Sequence, residues 1–213
     1  MVIKVHSAGA STCGQRVLTT LHEKGVPFEL VPVDFSSGAH KKPPHINLQP
    51  FGKVPVLEDD GFFVYESRAI CKYIAKKYAG QGTKLIPEDG DLKGYALFEQ
   101  ACSIEQCYFT PPAEAIAFEK VFKTYYPGLG PTDEAEVQKR AAELEKNMAV
   151  YETILSKQSY LSGEELSLAD LFVLPYVKIL KSVGFKEIFD KFPHVAKWLE
   201  GLEARDSWVK VIS

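Results

Sequence analysis

PFGKVPVLEDDGFFVYESRAICKYIAKKY, residues 50–78, decides how the rest of the chain is read. Val54–Leu57 and Phe62–Tyr65 are short runs of strand-forming residues, and Asp59-Asp60-Gly61 between them is an acidic turn ending in glycine. That combination predicts a β-hairpin. Glu66–Tyr78 follows without a break and reads as a helix opened by Glu66-Ser67, while Val54-Pro55 places a proline at the very start of the hairpin.

Working outward, Val2–Val5 is a short β-rich run. Ser11 to Lys24 carries Val17, Leu18 and Leu21 on one helical face, and Phe28–Val33 alternates like a strand. HKKPPHINLQP, residues 40–50, is irregular and proline-rich. The order is β-α-β, an irregular segment, then β-β-α, which is the thioredoxin-like order. Residues 1–79 are therefore expected to form a thioredoxin-like α/β domain. The breaker-rich GQGTKLIPEDGD, residues 80–91, reads as a linker.

Beyond it the strand signals stop, and residues 92–213 are expected to be an all-α domain, a helical bundle. Leu97, Ala101, Ile104 and Tyr108 recur at helical spacing, and Pro111-Pro112 should break or kink that helix. Val137, Ala141, Leu144, Met148, Tyr151 and Leu155 mark another helix packed within the bundle. Ser167 and Asp170 have the spacing of a capping box, so both are read as structural despite their catalytic residue types.

Composition narrows the function classes. The chain has 213 residues, 46% of them apolar and 12% aromatic, enough for a packed core. A formal charge of −3 carries no footprint of nucleic acid or of an anionic membrane surface. The first apolar run is interrupted by Lys4, so no targeting segment is expected. Leu168–Leu180 contains Asp170, Pro175 and Lys178, which argues against a membrane span. Cys13, Cys71, Cys102 and Cys107 have neither CxxC nor zinc-ligand spacing, so a reducing cytoplasm and no metal are expected.

Several residues outside the apolar pattern can act together on one small anionic ligand. A helix start offers free amides and a partial positive charge, so Ser67 can receive a carboxylate through its amide and hydroxyl. Glu66 beside it can accept from an ammonium. His40, Lys41 and Lys53 supply donors for a second carboxylate. If the bond before Pro55 is cis, Val54 can turn its N–H and C=O outward to pair with a peptide. Ser11 lies at the mouth of the first helix, where a hydroxyl can donate to sulfur. Each pKa unit removed from a thiol costs roughly 1.4 kcal/mol of differential stabilisation. Taken alone, Ser67 reads first as a helix cap, a role compatible with binding, and Ser11 reads as a cap as well as a thiol donor.

The motifs SxxxxRV (Ser11–Val17), LxEKxVxFE (Leu21–Glu29), AHKKP (Ala39–Pro43), PFGxVPVLED (Pro50–Asp59) and ESRAIxxYIAxKY (Glu66–Tyr78) together resemble the phi class of glutathione transferases. PPAEAIAFE (Pro111–Glu119), SLADLFVLPY (Ser167–Tyr176) and the closing PHVAKWLEGLEARDSW extend the resemblance over nearly the whole chain. It implies an enzyme that binds glutathione as co-substrate and conjugates its thiolate to hydrophobic electrophiles or passes it to a peroxide.

The same resemblance assigns Ser11 to thiol activation and His40, Lys41 and Lys53 to the glycyl carboxylate. Val54, with Pro55, would take the cysteinyl backbone, and Glu66 and Ser67 the γ-glutamyl end. Phe35, Ile116, Phe118, Phe122 and Tyr176 are the candidates for an apolar electrophile pocket between the domains. A homodimer is also implied, with Phe51 as an anchor. Lys53 stands where the class more often has glutamine, and His6-Ser7 where it has an aromatic-glycine pair. Two other readings stay open: a thiol transferase that depends on Cys13, and a non-catalytic carrier of apolar ligands.

Overall fold

The computed structural model describes residues 2–126 and 128–213. It divides into two compact units, one running up to Ile86 and including Arg205–Ser213, the other spanning Pro87–Ala204.

In the first unit the strands β1 (Ile3–Ser7), β2 (Phe28–Pro32), β3 (Val56–Asp59) and β4 (Phe62–Tyr65) form one sheet in the order β2-β1-β3-β4. β1 runs parallel to β2, with Ile3 opposite Phe28, and antiparallel to β3, with His6 opposite Val56. β3 and β4 pair antiparallel with Val56 opposite Tyr65, joined by Asp60-Gly61 at φ 52° and 79°. Both turn residues at positive φ match the right-handed twist of the flanking strands. The helices α1 (Thr12–Glu23), α2 (His45–Leu48) and α3 (Ser67–Lys77) complete the expected thioredoxin-like order, and α1 packs on α3. Alternation along β1 buries Ile3 and Val5 with Val17 and Leu21 of α1, Leu57 of β3, and Ile70 and Ile74 of α3.

The chain end departs from expectation. Residues 205–213, expected in the helical half, belong to the first unit, where α11 (Asp206–Ile212) packs on α1. Glu23 accounts for this. Its buried carboxylate accepts from Arg205 Nε and Nη2 at 2.5 and 2.7 Å, from the Ser207 hydroxyl at 2.5 Å and from the Thr83 hydroxyl at 2.6 Å. Four donors satisfy a carboxylate that would be costly to bury alone.

The second unit is helical: α4 (Leu92–Ile104), α5 (Thr110–Lys120), α6 (Glu134–Leu155), α7 (Leu168–Leu171), α8 (Leu174–Ser182), α9 (Glu187–Asp190) and α10 (Pro193–Glu203). The stripe Val137, Ala141, Leu144, Met148, Tyr151 and Leu155 is the buried face of α6. The break expected at Pro111-Pro112 falls earlier, as a π-helical turn over Glu105–Phe109, and the prolines sit in the first turn of α5. Proline offers no N–H to the preceding turn, and the widened turn falls over the residues whose carbonyls those amides would have met.

Asp170 is fully buried and ties three segments together. Its oxygens accept from the Leu161 amide at 2.8 Å, the Ser167 amide at 2.9 Å, the Ser167 hydroxyl at 2.8 Å and Trp198 Nε1 at 3.1 Å. Its role is structural, as the spacing from Ser167 predicts. Among the described residues no helix is long and apolar enough to cross a membrane.

Burial, the largest single influence, raises the Glu23 pKa, but Arg205, Ser207 and Thr83 together hold it below the ordinary value of 4.5. A depressed carboxylate contributes stability above its unfolded-state pKa and loses it as pH falls through the folded one. Glu23→Gln should therefore cost about 2–3 kcal/mol at neutral pH. Urea denaturation should show the gap to wild type shrinking as pH drops below 4.5.

Candidate active site

The strand register gathers the sequence-predicted residues at one end of the sheet. Because His6 lies opposite Val56 and Val56 opposite Tyr65, the segment leaving β1, the segment entering β3 and the segment leaving β4 share that end. Ser11 is on the first, Lys53, Val54 and Pro55 on the second, Glu66 and Ser67 on the third. β2 is parallel to β1, so the connection leading from Pro32 to His40 and Lys41 departs from the same end.

Ser11 caps α1: its Oγ accepts from the Gly14 amide at 3.1 Å. A serine hydroxyl has two acceptor positions and one proton, so capping leaves the proton available. Gly14 allows the first turn of α1 to lie against the strand end, since a Cβ there would sit 2.3 Å from Ser7 Oγ. Both members of the His6-Ser7 pair are engaged by their surroundings. Ser7 is buried under α1, while His6 Nε2 and Lys4 Nζ both meet the Glu58 carboxylate, at 3.0 and 3.1 Å. These two partners, His6 first, hold the Glu58 carboxyl below the usual carboxylate range.

The Val54–Pro55 peptide bond is cis, and the ladder that pairs β3 with its neighbours starts only at Val56. Ser67 opens α3 and is 6% exposed. Glu66 precedes it at φ 72° and ψ 107°, a conformation that side chains rarely adopt, while its carbonyl already accepts from the Ile70 amide at 2.9 Å. A strained residue held at a helix mouth marks a place where orientation matters more than local comfort.

The basic segment is braced. Lys41 Nζ donates to the Phe51 carbonyl at 2.9 Å, and Lys42 Nζ to the Ser37 carbonyl at 2.9 Å. His40 packs against Phe35, with ring centroids 4.5 Å apart and planes tilted by 55°, and its buried Nδ1 has no hydrogen-bond partner among the described residues. Burial, then Lys41 and His45, lowers its pKa, so the ring is held toward the neutral form. The Lys53 side chain is exposed while its backbone is engaged on both sides: its N–H donates to Gln49 Oε1 at 3.2 Å and its C=O accepts from His45 Nε2 at 2.7 Å. Sequence reasoning missed His45 and Gln49. Their spacing of four residues, just ahead of Lys53, was the available signal.

The electrophile candidates separate by burial. Phe35 is exposed, and Phe118 and Phe122 are half-buried in the second unit. Ile116 and Tyr176 are 0% and 3% exposed, because α5 and α8 pack together and enclose them. Cys13 is half-buried and its Sγ lies 3.6 Å from Arg16 Nη1, whereas burial pushes the Cys71 thiol up to about 12.

The fold recurs in known proteins. The family model for the glutathione S-transferase N-terminal domain matches residues 1–76, and that for the C-terminal domain matches residues 106–206. The chain is a member of the glutathione S-transferase family. Within the family it falls in the phi class. It is 50% identical over 210 residues to glutathione S-transferase hmp2 of Hypomyces subiculosus, covering 99% of this chain and 97% of the relative. Glutathione transferase F7 of Populus trichocarpa superposes with a TM-score of 0.94 at 38% identity, over 99% of this chain and 98% of that one. Glutathione S-transferase I of maize, solved in complex with an atrazine glutathione conjugate, gives 0.90 at 34% identity, over 99% and 96%.

The strain at Glu66 is separable from its charge. Both Glu66→Gly and Glu66→Ala remove the carboxylate, but only glycine adopts the positive φ freely. Thermal unfolding should find the glycine variant more stable than the alanine variant by about 1 kcal/mol.

Proposed function

We infer that the protein holds glutathione at the strand-end cluster of its first unit, ionises the thiol and transfers the sulfur to a hydrophobic electrophile. The observation that carries this reading is the geometry of Ser11, whose Oγ is already occupied as an acceptor by the Gly14 amide. Its proton is thereby turned to other use, and a thiolate at the mouth of α1 receives both that proton's hydrogen bond and the partial positive charge of the helix start. The thiol proton passes to solvent, the sulfur–carbon bond forms, and the leaving group departs with its electron pair. Ser11 is not consumed.

Around that centre, Glu66 takes the ligand ammonium and Ser67 the γ-glutamyl carboxylate at the start of α3. Val54 pairs with the cysteinyl backbone beside Pro55. His40, Lys41 and Lys53 face the glycyl carboxylate, to which a neutral His40 still contributes one N–H. For the electrophile, Phe35 stays a candidate in the first unit and Phe118 and Phe122 stay candidates within the second; the maize relative is solved with an atrazine glutathione conjugate. The four free cysteines accord with work in the reducing cytoplasm. Phe51, 67% exposed beside the site, is proposed to anchor a second copy of the chain in a homodimer.

Two experiments test these readings. In a pH titration of bound-glutathione thiolate absorbance, Ser11→Ala should keep glutathione but raise its thiol pKa by about 1–2 units, with conjugation falling about 10- to 100-fold. A variant equal to wild type in both would leave Ser11 a helix cap and bring Cys13 forward. Light scattering at micromolar concentration should give the mass of a dimer for wild type and of a monomer for Phe51→Asp. A monomeric wild type would remove the dimer.

A further inference from the structure

We propose that His45 is a positioning residue of the glutathione site, acting through the single peptide unit that joins Lys53 to Val54. The inference rests on the assignment of Lys53 and Val54 to glutathione. A peptide unit is planar, and in its trans form the C=O and N–H lie in that plane and point in opposite directions. The Lys53 carbonyl and the Val54 amide belong to one such unit, and cis bonds occur only at Pro44 and Pro55 among the described residues. His45 Nε2 lies 2.7 Å from the Lys53 carbonyl oxygen. A carbonyl only accepts, so Nε2 carries the proton and donates. Fixing the C=O fixes the direction in which the Val54 N–H points, and a donor on the oxygen also polarises the unit and strengthens that N–H as a donor.

The ring is well placed to hold this direction. His45 is 5% exposed at the start of α2, and Gln49, 1% exposed at its end, accepts from the Lys53 amide at 3.2 Å. The Gly52 amide donates to the Gln49 carbonyl at 2.9 Å, and Lys41 Nζ to the Phe51 carbonyl at 2.9 Å. Residues 51–53 are thus pinned from the 41–49 side at four backbone atoms. Of these four bonds, the one from His45 alone reaches the unit that bears the Val54 amide. A buried imidazole committed to that one oxygen is more than a filler of space. Its effect should fall on glutathione affinity and not on the chemistry of a thiolate already bound.

The test compares wild type, His45→Phe and His45→Gln by calorimetric titration with glutathione and by steady-state kinetics with 1-chloro-2,4-dinitrobenzene. Phenylalanine keeps the ring and loses the donor, while glutamine keeps a donor of similar reach. His45→Phe should raise Kd and KM for glutathione about 2- to 10-fold with kcat nearly unchanged, and His45→Gln should recover most of the loss. If His45→Phe does not fold, His45→Met, as long as glutamine but without a donor, carries the same contrast. Equal Kd in all variants, or a fall in kcat with KM unchanged, would overturn the proposal while leaving the glutathione site standing. Failure of wild type itself to bind glutathione would overturn the site assignment and this inference with it.

Discussion

β1 bonds in parallel to β2 on one side and antiparallel to β3 on the other, and the arrangement of the site depends on that double pairing. The ladder bonds run over only a few residues. They nevertheless determine which loop leaves the sheet at which end. A slip of one residue would turn Ile3 and Val5 from the core to solvent, so the buried face holds the register in place. Through that register, four segments distant in sequence present Ser11, Lys41, Val54 and Glu66 at one edge. The hydrophobic core of the unit and the polar geometry of the site are therefore set by the same constraint.

Polar atoms near this edge tend to serve two ends. Ser11 closes the first turn of α1 with its lone pair, and in the proposed reading its proton serves the ligand. Glu66 starts α3 with its carbonyl while its backbone is held at positive φ. Lys41 braces the Phe51 carbonyl, and in the proposed reading it also faces a ligand carboxylate. Capping and binding are compatible because a helix end offers amides that need an acceptor, whether that acceptor is protein or ligand.

Elsewhere buried charge serves architecture alone. Glu23 fastens residues 205–213 to the first unit, and Asp170 joins the Leu161 turn, α7 and α10 inside the second. Each carboxylate is met by four donors, the condition under which a charge can be buried without unfolding its surroundings. Burial still holds Asp170 above the usual carboxylate range despite those donors.

Local patterns settle themselves in the chain. The Asp-Gly turn, the six-residue stripe of α6 and the Ser167–Asp170 spacing are read correctly because each depends on neighbours within a few residues. The candidate site residues were legible from helix-start chemistry and basic residue types together with motif resemblance, while their convergence at one end of the sheet needed the strand register. The rest required tertiary structure. Nothing near Glu23 in sequence announces Arg205 as its partner, so the return of residues 205–213 to the first unit was misplaced. Ile116 and Tyr176 looked like pocket residues until the packing of α5 on α8 enclosed them. His45 passes for one more basic residue in an irregular segment until the fold sets its ring on the Lys53 carbonyl. Short-range preferences reside in the chain itself, whereas which distant donor meets which buried acceptor exists only once the backbone has closed around both.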